Sequence, residues 1–156
     1  MTIIVHNSKS GSSERYARRL SEMTGMPCYS VRDEYPKDER IVFFGWLKRY
    51  TVMGLSKVDI GMVDSLCVVG VDNVDFFPKD EVRSSNKFDG EIHYLRGWIR
   101  PERLGFLDRL ILRIVSKKLL REMGDHADMT LIDAMTKGGD FYDDAYLEPI
   151  VRSLKD

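Results

Sequence analysis

The 156-residue chain is poor in the side chains that build covalent or metal frameworks, with two cysteines and three histidines. His6, His93 and His126 stand far apart with no second ligand at metal-binding spacing, so no metal centre is predicted. Neither Cys28 nor Cys67 opens the Cys-x5-Arg loop of a cysteine phosphatase. The glycine loops Gly-x-Gly-x-x-Gly and Gly-x4-Gly-Lys-Ser/Thr do not occur, which removes the dinucleotide and P-loop classes. No Ser/His/Asp arrangement can be defended from spacing. Net charge is nearly absent too: a formal charge of -1 gives no general pull toward nucleic acid. The start, Met1-Thr2-Ile3-Ile4-Val5-His6, lacks a basic segment and has only a brief apolar run, predicting a strand rather than a signal peptide and hence a cytoplasmic protein. With 43% hydrophobic and 31% charged residues, positions 1–156 are expected to form one globular domain with a real core.

What is present begins with a serine-rich stretch, Ser8-Lys9-Ser10-Gly11-Ser12-Ser13, between the apolar run Ile3-Ile4-Val5 and a helix predicted from Glu14 to Met23. The first N–H groups of a helix have no partner inside it and carry partial positive charge, so a turn at this place can hold a phosphate monoester. The hydroxyls add neutral donors, and Gly11 can take a positive φ that curls the turn into a nest of donors. The bland alternative is an N-cap: Ser12 or Ser13 can start the helix with no ligand at all. Lys9 either adds charge to the anion or sits in solvent.

Along the chain, Tyr16, Ala17, Leu20 and Met23 recur at helical spacing and Gly25 ends that helix. Met26 to Ser30 reads as a short second strand, at an edge because Pro27 cannot donate to a ladder. Residues 31–39 are too short and broken for a crossover helix. Arg40-Ile41-Val42-Phe43-Phe44 reads as a central parallel strand closed by Gly45, with no terminal acid of the kind a phospho-accepting receiver domain carries. A short helix is predicted over Gly54 to Asp64, a fourth strand over Ser65 to Val71, one or two helical turns over Phe76 to Val82, exposed loop over Arg83 to Asp89, and a fifth strand over Glu91 to Leu95. A doubly wound sheet of order 2-1-3-4-5 would separate Cys28 and Cys67 by about 14 Å, too far for a disulfide.

Two stretches carry a family resemblance. Ser-x-Ser-Gly-x-Ser after a strand is similar to the flavodoxin phosphate loop, from which Lys9 is a departure. Tyr94-Leu95-Arg96-Gly97 followed by Leu104-Gly105-Phe106-Leu107-Asp108-Arg109 resembles a flavodoxin-like subgroup that contains the menaquinone-dependent protoporphyrinogen dehydrogenases, and the match extends over nearly the whole chain in element order. The resemblance implies an α/β, three-layer flavodoxin-like fold with a five-stranded parallel sheet of order 2-1-3-4-5. It also implies FMN, with Ser8, Lys9, Ser10, Gly11, Ser12 and Ser13 at the phosphate, Gly45, Trp46 and Leu47 along one side of the ring, and Val71 and Asp72 along the other. Trp46 has a competing role as a packing anchor.

The segment 101–122 is predicted to be a long helix in which Leu104, Leu107, Ile111 and Ile114 form an apolar face. Arg109, Arg113, Lys117 and Arg121 stack at i, i+4, where like charges cost a helix roughly 0.2–0.5 kcal/mol each. Such a stripe points to an anionic partner: the inner face of a membrane contacted peripherally, a protein, or the chain's own end. From Met123 to Asp156 there are eight acids against three bases, enough to pair with the stripe internally. A last amphipathic helix carries Tyr146, Ile150, Val151 and Leu154. Three functions therefore stay open: an FMN redox protein serving an undefined partner protein or small-molecule substrate, a protoporphyrinogen dehydrogenase-like enzyme at the membrane with a quinone acceptor, and an FMN-free interaction module.

Overall fold

The computed structural model describes residues 1–99, 105–124 and 138–155. In chain order these form β1 (Thr2–His6), α1 (Ser12–Thr24), β2 (Cys28–Ser30), β3 (Arg40–Lys48), β4 (Thr51–Val52), β5 (Val63–Gly70), α2 (Lys79–Asn86), β6 (Glu91–Arg96), β7 (Trp98–Ile99), α3 (Phe106–Met123), β8 (Gly139–Asp140) and α4 (Glu148–Lys155), with short 3-10 turns between some of them. The start of the predicted 101–122 helix, His126 and four of the eight acids after Met123 (Asp125, Asp128, Asp133 and Asp156) lie outside the described residues.

The architecture is α/β, with a mostly parallel sheet flanked by helices. Five parallel strands lie in the order β2-β1-β3-β5-β6, and β4 adds a sixth, antiparallel strand against the end of β3. The five-strand expectation omits this hairpin. β1, β3 and β5 are apolar on both sides because both faces are covered, the signature of interior parallel strands. On one face Ile4, Val42, Phe44 and Cys67 pack against Tyr16, Ala17 and Leu20 of α1 and Ile150 of α4. On the other, Ile3, Val5, Phe43, Leu66 and Val68 meet Val82 of α2, Leu55, Phe88 and Tyr35.

Three local expectations need correction. β3 does not stop at Gly45 but runs on to Lys48, because Leu47 pairs with Val52 and Lys48 with Thr51 across a two-residue turn. The helix expected over Gly54 to Asp64 is instead a pair of 3-10 turns, Leu55–Lys57 and Ile60–Met62, the second capped when the Asp59 carboxylate accepts from the Gly61 N–H. Three apolar side chains at helical spacing were too few to offset Gly54, Gly61 and the intervening β-branched residues. The exposed loop expected after Val82 is largely helical, since α2 continues to Asn86, whose side chain donates to the Tyr50 carbonyl and accepts from the Val52 N–H. Cys28 and Cys67 are both free thiols.

Candidate functional site

The carboxyl ends of β1, β3, β5 and β6 open onto a cavity of about 490 Å³, at the place where an open α/β sheet presents ligand loops. The serine turn forms one wall. Gly11 stands at φ 98°, ψ -8°, just before the first residue of α1, and its N–H donates to Ser8 Oγ at 2.9 Å. Only a residue without Cβ takes that left-handed geometry cheaply, and α1 then begins beside the cavity with first N–H groups that have no partner inside the helix.

The serines divide into two roles. Ser12 Oγ accepts the Trp98 N–H at 2.9 Å and donates to the Trp98 carbonyl at 3.3 Å, so Ser12 ties α1 to β7. The Trp98 indole N–H donates to the Ser10 carbonyl at 2.6 Å, a second tie across the same turn. Ser13, by contrast, is a cavity-lining residue whose hydroxyl is buried with no hydrogen-bond partner among the described residues. A buried unpaired hydroxyl costs about 1–3 kcal/mol, a deficit that turning the side chain toward an acceptor in the cavity would remove.

Of the residues singled out from sequence, Lys9, Ser10, Ser12, Ser13, Trp46, Leu47, Val71 and Asp72 line the cavity together. Ser8 and Gly11 shape the turn from behind. Gly45 lies inside β3, buried, where a Cβ would meet Val52 Cγ1 at 2.6 Å and the Met53 carbonyl at 2.9 Å. Its smallness serves the β4 hairpin, and it stands within a strand instead of bordering the cavity as expected. The loop after β5 is fixed from β6: Tyr94 donates from its phenol to the Asp72 carbonyl at 2.9 Å, and the Arg96 guanidinium donates to the Val71 carbonyl at 2.9 and 3.1 Å. Burial raises the Tyr94 phenol, which stays protonated and keeps donating at all ordinary pH.

Sequence reading missed Trp98, Asp108, Ile111, Leu112, Lys48 and Arg49, which line the cavity together with Val69, Gly70, Tyr94 and Gly97. Trp98 follows directly on Tyr94-Leu95-Arg96-Gly97 and was within reach of that motif. The α3 residues carry no local signal, because only the packing of the helix brings them to the mouth. Lys9 donates to Asp108 of α3, a hydrogen bond and ion pair that holds the Asp108 carboxyl below the ordinary range, and the Lys9 ammonium lies 5.3 Å from the centre of the Trp46 ring. Lys9 thus joins the serine turn, β3 and α3. No His/Cys/Asp/Glu grouping among the described residues could hold a metal ion.

The cavity can accept an anion at the helix end and a flat apolar group between Trp46, Val69, Val71 and the α3 side chains. No protein-family model matches the chain, and no curated protein matches it.

Proposed function

We propose that the protein has a flavodoxin-like fold and binds FMN non-covalently as a redox carrier for a partner protein or small-molecule substrate. The observation that carries the reading is Ser13, a residue of the first turn of α1 that lines a largely apolar cavity and whose buried hydroxyl has no hydrogen-bond partner among the described residues. The order of the parallel strands, with the cavity at their carboxyl ends, supports it. FMN would supply the electron chemistry, so no side chain need act as nucleophile or base. Ser13 and the first N–H groups of α1 would receive the phosphate, Lys9 would add charge, Ser8 and Ser12 would keep the turn in shape, and Trp46, Leu47, Val71 and Asp72 would border the ring.

The test is a visible spectrum of the purified protein followed by FMN titration with flavin fluorescence as the readout. Quenching is expected, and Ser13→Ala should weaken FMN about tenfold, the effect of losing one hydrogen bond to a charged group, while leaving riboflavin, which has no phosphate, unchanged. A colourless protein that does not quench FMN overturns the reading in favour of an FMN-free interaction module.

One observation favours a second reading, a protoporphyrinogen dehydrogenase-like enzyme working peripherally at a membrane with a quinone acceptor. The helix that supplies Asp108, Ile111 and Leu112 to the cavity also carries exposed apolar residues and a row of cations, Arg109, Arg113, Lys117 and Arg121, with no ion pair among the described residues. Such a helix suits an anionic lipid surface. No helix among the described residues is long and apolar enough to cross a membrane. Anaerobic turnover of protoporphyrinogen with a quinone, greater with anionic vesicles than without, is the expected result. Loss of this reading leaves the FMN carrier intact.

A further inference from the structure

We propose that Lys48 and Arg49 bias the cavity toward a ring that has gained negative charge, so that the flavin is held more tightly reduced than oxidised relative to a cavity without them. The inference rests on the FMN reading above. It starts from the β3–β4 hairpin, whose two-residue turn Arg49-Tyr50 holds Arg49 at φ 59°, a left-handed conformation unusual for a residue with a Cβ. The tight turn brings two consecutive cations, Lys48 and Arg49, to the cavity lining, and neither has an ion-pair partner among the described residues.

Among the described residues the other charges lining the cavity are Lys9, Asp72 and Asp108. Lys9 and Asp108 neutralise each other as an ion pair, and Lys48 is close enough to act on the same Asp108 carboxyl. Among the described residues the lining therefore holds three cations to two carboxylates, a net positive charge. Reduction adds two electrons and one proton to the ring, which ends one unit more negative than it began. A positive lining stabilises that form selectively, and its effect is electrostatic, so salt must screen it.

The test compares wild type with Lys48→Gln/Arg49→Gln and with the charge-preserving Lys48→Arg/Arg49→Lys. FMN dissociation constants are measured oxidised, and again after anaerobic reduction by dithionite, which supplies the electrons. In the glutamine pair the preference for reduced over oxidised FMN should fall about tenfold, equivalent to about 30 mV for a two-electron couple. The charge-preserving pair should keep the wild-type ratio, and 0.5 M salt should shrink the difference. Taking the ratio cancels any loss of phosphate attraction that both redox forms share. A glutamine pair that binds both forms with the wild-type ratio overturns this inference and leaves FMN binding standing. Failure of wild type to bind oxidised FMN overturns both.

Discussion

The buried His6 and the half-buried His93 each have a buried ring nitrogen with no hydrogen-bond partner among the described residues. Burial lowers both pKa values below the ordinary 6.5, ahead of the nearby charges, chiefly Glu14, Arg18 and Asp33 at His6 and Glu91 at His93. The 3.5 Å approach of His93 Nε2 to Glu91 is therefore not an ion pair at neutral pH. Since the unfolded chain takes up protons first, stability should be fully present above pH 6.5 and fall as the pH drops from there through the lower native values. Urea midpoints measured between pH 7.5 and 5 should show this decline, and His6→Gln should flatten it; a midpoint that rises on acidification would contradict the burial account. At this scale the sequence was readable where a residue's own chemistry decides, as with Gly11 before a helix. It was not readable for Gly45, because the neighbour that needs its missing Cβ, Val52, arrives through a hairpin.

Among the elements, α3 departs furthest from its pattern. The row Leu107, Ile111 and Ile114 reads as a buried face, yet these side chains are 71%, 55% and 58% exposed, and Phe106 is 74% exposed. The packed face is instead Asp108, Leu112, Ser116 and Leu119, with Leu112 and Leu119 clustered with Val71 and Phe141. Lys9 gripping Asp108 and the small Ser116 fix the rotation of the helix, and neither effect is visible in a count of apolar positions. Because Phe106 and Leu107 bury little, Phe106→Ser with Leu107→Ser should leave the unfolding free energy from urea denaturation within about 0.5 kcal/mol of wild type. If the membrane reading holds, the same pair should abolish co-sedimentation with anionic vesicles. Loss of stability without loss of sedimentation would mean that these residues pack inside the protein rather than against lipid.

Across the whole molecule, the end of the chain closes one face of the sheet through α1. Two of the acids expected to serve the α3 stripe pair elsewhere, Asp140 with Arg15 and Asp144 with Arg19, each at 3.1 Å, while Asp125, Asp128, Asp133 and Asp156 lie outside the described residues. The Arg15 guanidinium lies over the rings of Trp98 and Tyr142, 4.6 and 3.7 Å from their centres. Beneath it the buried Tyr16 phenol donates to the Arg96 carbonyl and accepts the Asp143 N–H at 3.2 Å, joining α1, β6 and the C-terminal segment. Tyr16→Phe would strand both backbone groups and should cost about 1–3 kcal/mol in chemical denaturation. It should also speed amide exchange in residues 139–155; unchanged exchange there would show that the phenol is not what ties the segment down.

The sequence by itself determined the layered α/β plan, since continuous apolar runs of strand length can be satisfied only by burial on both faces, and it located the serine turn, because a helix start and a glycine are local events. Only the tertiary structure decided which serines the protein itself occupies, which face of α3 turns inward, and that Lys48, Arg49, Trp98 and Asp108 share a cavity with Ser13. These depend on contacts between residues up to about a hundred positions apart, Lys9 with Asp108 being 99 apart, and such contacts leave no periodic trace in the chain.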